Sequence, residues 1–198
     1  MQSICVRMIG GLARMGKIVV VTAPSGCGKT TLIQRLLKDM PALQFSVSYT
    51  TRAKREHEID GKDYYFVEEH VFLSMVSQSQ FLEWAQVHNA YYGTAMSEID
   101  KAAKGDMLLD IDVQGAMTLM ERDVKALYMF IKPPSVDVLR ERLHARNTET
   151  PEAIELRLWN AKKELGYAGR FNVAIINDDL ERAYAEFKET ISRYLGTE

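Results

Sequence analysis

The stretch APSGCGKT, Ala23 to Thr30, sets small residues beside one cation and one hydroxyl. Gly26 and Gly28 allow backbone N–H groups to converge on phosphate oxygens. Lys29 adds positive charge beside the terminal phosphates, and the Thr30 hydroxyl can bind Mg2+ at a helix N-terminus. The pattern is that of a phosphate-binding loop (P-loop), with Ala23 in place of its first glycine. Ala23, Pro24, Ser25, Gly26, Cys27, Gly28, Lys29, Thr30 and Thr31 are therefore the candidate triphosphate ligands. A merely structural Gly-rich turn is disfavoured because a β-branched run precedes the loop and a helical pattern follows it. Such a loop leaves the phosphate acceptor open, whether water, a nucleotide, a sugar or a protein.

The acceptor must be read elsewhere. FSVSYTTRAKREHEIDGKDYYFV presents Arg52 and Arg55 with Tyr64, and FLEWAQVHNAYYGT adds Glu83, Tyr92 and Thr94. Two guanidinium forks with tyrosine hydroxyls suit a small dianion such as a monophosphate, because Arg grips phosphate oxygens bidentately and Tyr donates without adding charge. Solvated surface is the ordinary reading of an Arg pair in a loop, and it loses ground as hydroxyl groups accumulate around the pair. Asp110 and Asp112 close a buried strand, where open α/β sheets present their ligands. Asp110 is the candidate partner of Thr30 for Mg2+, in part through water, and Asp112 faces the acceptor side; the two roles could be exchanged. The four histidines have no metal-ligand spacing and read as surface residues.

The elements that must hold these groups alternate. KIVVVT (17–22) reads as a buried strand, and Leu32, Ile33, Leu36 and Leu37 recur at helical spacing up to Pro41. DMLLDID (106–112), ALYMFI (126–131) and VAII (173–176) read as further buried strands, with a helix over 113–121 and a last helix carrying Tyr184, Phe187, Ile191 and Leu195 on one face. This alternation predicts an α/β fold, a three-layer sandwich around a mainly parallel sheet. Residues 46–95 have another texture and read as an inserted α+β unit. Residues 135–169 read as two helices, capped by Ser135 and by Thr150 with Pro151 in its first turn. The core then comprises 17–45, 96–134 and 170–198.

Composition sets the outer bounds. With 198 residues the chain can bury one sizeable core. A net charge of −2 argues against a nucleic-acid backbone or an anionic membrane as main partner. Two cysteines, Cys5 and Cys27, give no disulfide framework, which points to a reducing compartment and a cytoplasmic location. No stretch reaches the ~20 apolar residues of a membrane span. The segment 1–16 lacks acidic residues and carries Arg7 and Arg14, as transit peptides do; it is read instead as an N-terminal extension, or as lying upstream of a start at Met15.

Taken together, APSGCGKT, SVSYTTR, GKDYYFV, FLEWA, YYGT, LDIDVQG, PPS and NDD resemble guanylate kinase from about Lys17 onward. The resemblance implies a P-loop nucleoside monophosphate kinase with a core, a GMP-binding insertion (46–95) and a mobile lid (135–169), acting on ATP and GMP, and on dGMP as well, with Mg2+. It implies that Arg52, Arg55, Tyr64 and Tyr92 hold the GMP phosphate, that Ser48, Glu83, Thr94 and Asp112 surround the base, and that Arg146 and Arg157 swing onto the phosphates beside Lys29. Asn147 stands where the family commonly has glycine. A carboxylate at Glu83 suits guanine, whose ring N–H and exocyclic amine are adjacent donors; adenine offers an acceptor in place of the first.

A non-catalytic scaffold of the same fold and a sibling kinase of sugar phosphates are the alternatives. The intact Lys29 and Thr30 weigh against the first, and the Glu83 and Thr94 pair weighs against the second. A monomer or small homo-oligomer is expected. Cys27, at a helix N-terminus near Lys29, is read either as an activated thiol or as a packed one.

Overall fold

β1 (Ile18–Thr22) is a five-residue β-branched run that the fold buries on both faces, the environment in which such residues pack best. It lies at the centre of a five-stranded sheet in the computed structural model, which describes residues 16–56, 58–87, 89–145 and 150–197. The sheet also contains β2 (Gln44–Phe45), β7 (Met107–Asp110), β8 (Leu127–Lys132) and β9 (Val173–Ile176), in the order β2-β7-β1-β8-β9. Every pairing is parallel, with Val20 opposite Leu109 on one side and Tyr128 on the other.

Helices cover both faces. Val19 and Val21 pack with α1 (Lys29–Asp39), α5 (Val136–His144), α6 (Pro151–Leu165) and α7 (Leu180–Leu195). Val20, pointing the other way, packs with α4 (Val113–Glu121) and Phe171. The single-residue alternation along β1 thus divides the core into two clusters, giving the three layers of a P-loop nucleotide-binding α/β fold. The expected helix face of Tyr184, Phe187, Ile191 and Leu195 is buried as a unit. The two-residue β2 was not anticipated, since so short a strand has no period to read.

A second sheet stands apart, with order β4-β3-β6-β5. Its strands are β3 (Tyr49–Thr50), β4 (Tyr65–Phe66), β5 (Phe81–Val87) and β6 (Ala90–Ala95), and β5 and β6 form an antiparallel hairpin. Helix α2 (Glu69–Ser77) closes it by inserting Phe72, which stacks on Phe81 at 4.4 Å and on Tyr91 at 5.5 Å between ring centroids. A short helix, α3 (Met96–Ala102), returns the chain to the main sheet. Contact with the main body runs through α4, which packs on β5 and whose terminal Arg122 donates to the Leu82 carbonyl at 2.5 Å.

Two helix starts follow from their caps. Ser135 accepts from the Val138 amide, and Thr150 accepts from the Ala153 amide with Pro151 in the first turn. Arg146 and Asn147 lie outside the described residues, as does the segment 1–15. Among the described residues no helix is long and apolar enough to cross a membrane.

Candidate active site

The loop from Ala23 to Gly28 joins the C-terminal end of β1 to the first turn of α1. Gly26 and Gly28 take φ of +91° and +86°, a left-handed backbone that residues with a Cβ rarely adopt. Gly28 is also hemmed in: a Cβ there would lie 2.3 Å from Nδ2 of Asn177. That amide donates to the Cys27 carbonyl at 2.8 Å, and Arg142 donates to the Asn177 carbonyl at 2.9 Å. The end of β9 and helix α5 therefore brace the loop from behind. Neither residue was singled out for this from the sequence, where Asn177 appears only within NDD.

Lys29 sits at the loop's mouth. Its ammonium pairs with Oδ1 of Asp110 and donates to the Ile111 carbonyl at 3.3 Å. The carboxylate at the end of β7 thus touches the lysine at the start of α1, as strands β1 and β7 are adjacent and parallel. Asp112, two residues on, is used differently. Its Oδ1 caps α4 by accepting from the Gln114 and Gly115 amides at 2.7 and 2.9 Å. The geometry therefore separates the two aspartates, Asp110 toward the triphosphate loop and Asp112 toward the second sheet.

Across a cavity of about 410 Å³ from the loop stand Ser48, Arg52, Arg55, Tyr64, Glu83 and Tyr92, with Asp112 between the two sides. Arg52 is held by a two-pronged ion pair to Glu58, at 2.7 and 3.0 Å, and Glu58 also accepts from the Arg55 amide at 2.8 Å. Burial pushes the Glu58 carboxyl up, yet the Arg52 hydrogen bonds and the Arg55 amide outweigh it and hold it below its ordinary range. Glu58 is thereby the splint that orients the guanidinium, and sequence reading missed it among four charged neighbours. Tyr64 and Tyr92 meet edge to face at 5.9 Å, and burial followed by the nearby Asp110 raises the Tyr64 hydroxyl well above its usual pKa, so it remains a neutral donor.

Glu83 is the deepest charge in the cavity, 3% exposed on β5. Oε1 accepts the Thr94 amide at 2.9 Å across the hairpin, where Glu83 and Thr94 are paired. Desolvation pushes its carboxyl up to about 7, the Thr94 hydrogen bonds oppose the shift, and Asp112 adds to it. Thr94 itself is fully buried behind Glu83, its hydroxyl 3.3 Å from that of Ser48; it supports the wall and does not line the cavity. The ordinary expectation for a strand glutamate, an exposed charge beside Trp84, is not met, because Trp84 faces solvent and Glu83 faces inward.

Helix α6 supplies the remaining groups. Arg157 donates to Oγ of Ser25 at 2.9 Å, so this helix already touches the loop. Glu164 also lines the cavity and was not foreseen; burial and then Asp112 push its carboxyl up to about 7 against the pull of Lys29. Its only sequence signal was a place on a helix with basic neighbours. Cys27 is 1% exposed, and burial pushes its thiol up to about 12, which resolves the two readings of that residue in favour of packing. His70 and His144 are exposed, as expected. Among the described residues no cluster of three or more His, Cys, Asp or Glu could hold a metal by itself.

This assembly has known counterparts. The family described as guanylate kinase matches residues 15–194. A guanylate kinase of Nitratidesulfovibrio vulgaris is 51% identical over 90% of this chain and 87% of its own length. One from Chlorobium luteolum is 44% identical over 94% of this chain and 96% of its own. Among solved structures, guanylate kinase from Anaplasma phagocytophilum superposes with a TM-score of 0.72 at 31% identity, covering 91% of this chain and 87% of that one.

Proposed function

The chain belongs to the guanylate kinase family, and from that premise we propose how its own residues perform the family's reaction. The enzyme is an ATP:GMP phosphotransferase, a nucleoside monophosphate kinase with ATP and GMP as substrates. Phosphoryl transfer needs no protein nucleophile; it needs donor and acceptor in line and neutral surroundings for the charge on the transferring group. The observation that carries the assignment of residues is that Lys29 and the loop face Arg52, Arg55 and Glu83 across one shared cavity.

On the donor side, the loop from Ala23 to Thr31 cradles the ATP phosphates through its main-chain N–H groups, Pro24 offering none, and Lys29 exchanges its Asp110 partner for phosphate oxygens. Thr30 and Asp110 are the residues that would hold Mg2+. They fit it because a magnesium ion at such sites takes one or two protein oxygens and completes its shell with phosphate and water, and the Thr30 hydroxyl and the Asp110 carboxylate are oxygen donors lining the same cavity as the loop. When bound, the ion supplies charge neutralisation at the transferring phosphate. Arg157, already at the loop, and Arg146 add positive charge from the lid side.

On the acceptor side, Arg52, Arg55, Tyr64 and Tyr92 hold the GMP phosphate, with Arg52 preset by Glu58. Ser48, Glu83 and Asp112 meet the base and Thr94 orients Glu83. Recognition falls on base and phosphate, so dGMP is an acceptor too. The cytoplasm is the proposed location, on the grounds of cysteine usage.

The test is phosphate transfer from ATP to GMP, dGMP, AMP and ribose bisphosphate, with wild type and Glu83→Gln. The wild type is expected to favour GMP over AMP by a factor of order 10⁴, since adenine leaves a buried carboxylate facing an acceptor. Glu83→Gln should raise the GMP KM by about a hundredfold with little change for ATP. Equal effects on the two substrates would remove Glu83 from the base site.

A further inference from the structure

Gly115 is the third residue of α4, and nothing in its backbone calls for glycine: its φ is not among the positive ones, and a helix interior favours alanine. Its amide donates to Asp112, a bond any residue but proline could make. What distinguishes the position is space. A Cβ at residue 115 would lie 2.3 Å from Oε2 of Glu83 and 3.0 Å from its Cδ. No atom pair of this kind survives at 2.3 Å, so something would have to move.

Helix α4 has little freedom to do so. Val113, Ala116, Met117 and Leu119 are buried in the core, and Arg122 ties the helix end to the Leu82 carbonyl of β5. The carboxylate is the far end of a side chain and opens on the cavity, so it is the part that would yield. Moving it would break the alignment that the Thr94 amide sets through Oε1.

We propose that Gly115 is a positioning residue for the acceptor base: by lacking a side chain it lets α4 close onto Glu83 and hold the carboxylate in the orientation that reads guanine. This rests on the assignment of Glu83 to the base and extends it to a residue on another element. A clash that the fold can relieve cheaply would then fall on recognition alone.

The experiment compares Gly115→Ala, Glu83→Gln and the double variant by GMP KM, ATP KM and thermal unfolding midpoint. Gly115→Ala is expected to raise the GMP KM by about tenfold or more, with the ATP KM within about twofold, because the lost contact is made only to the base. The unfolding midpoint should be unchanged or higher, as alanine is the better helix former. In the Glu83→Gln background the same substitution should change the GMP KM by less than about threefold, since the two act through one group. A GMP KM unchanged in Gly115→Ala, while Glu83→Gln raises it, overturns the role of Gly115 and leaves Glu83 standing. A silent Glu83→Gln overturns the base assignment and this proposal with it. Parallel loss for ATP with a lowered unfolding midpoint would make Gly115 a packing residue only and likewise overturn the proposal.

Discussion

On the side of the cavity proposed to bind the donor, the lining comes from consecutive residues, Ala23 to Thr31, whose working parts on that proposal are main-chain N–H groups. On the acceptor side the working parts are side chains from the loop after β3, from β5 and β6, and from the ends of α4 and α6. The loop depends on backbone shape, fixed by Gly26 and Gly28 in left-handed conformation and braced by Asn177. The acceptor wall depends on charge held out of water: Arg52 on Glu58, and Glu83 and Glu164 both pushed up to about 7. A site made of amides is cheap to keep in the absence of ligand, whereas one made of buried carboxylates carries a standing desolvation cost.

The contrast can be broken most sharply at Lys29. Lys29→Ala should lower kcat by about a thousandfold or more, because charge on the transferring phosphate loses its nearest protein cation. GMP binding, measured by calorimetry, should change only slightly. A comparable loss of GMP affinity would mean that the two halves are not separable in this way.

A smaller effect concerns stability and pH. Glu83 holds its proton up to about pH 7 in the folded chain against an ordinary value of 4.5, so the native state binds protons more tightly than the unfolded one. The contribution of Glu83 to the stability of the ligand-free enzyme is therefore fully present below about pH 4.5, is lost as pH rises toward 7 and levels off above, whereas depressed carboxylates such as Glu58 act in the opposite sense at low pH. The loss from Glu83 alone is of order 3 kcal/mol at most. Urea unfolding of wild type and Glu83→Gln between pH 5 and 8 measures it as the difference in slope; identical slopes would show that Glu83 is not desolvated. Glu164 should contribute in the same sense, but not additively, since both face Asp112.

The smallest expected effect is on the donor side. Cys27, with its thiol pushed up to about 12 from 9.0, has roughly a thousandfold less thiolate at a given pH than an unperturbed cysteine. Iodoacetamide at pH 8, followed by peptide mass spectrometry, should therefore leave Cys27 unmodified in the native protein while ATP turnover persists. Rapid alkylation at Cys27 that ATP prevents would restore the reading of an activated thiol.

Much of the frame was legible because its signals are local. Val113–Glu121 and the helix beginning at Pro151 follow from spacing and caps alone, and the strands through Val20, Leu109, Met129 and Ile175 follow from short apolar runs. The residues proposed for the acceptor were legible as types, and the structure brings most of them to one cavity. Their partners were not. Glu58 was one charge among many in TTRAKREHEID, and no rule of spacing says that it, and not Glu56, splints Arg52. Glu164 looked like a solvated helix position, and Gly115 looked like part of a motif with no stated purpose.

The sequence by itself determined the chemistry of the donor loop, since phosphate binding by successive amides requires only that small residues, a lysine and a hydroxyl follow one another in the right order. Only the tertiary structure decided that Asn177 would brace that loop from 150 residues away, that Glu83 would be desolvated, and that α4 would approach it closely enough to need a glycine. The physical reason is that burial and clearance are properties of surfaces brought together, and separation along a chain carries no information about them until the core has packed.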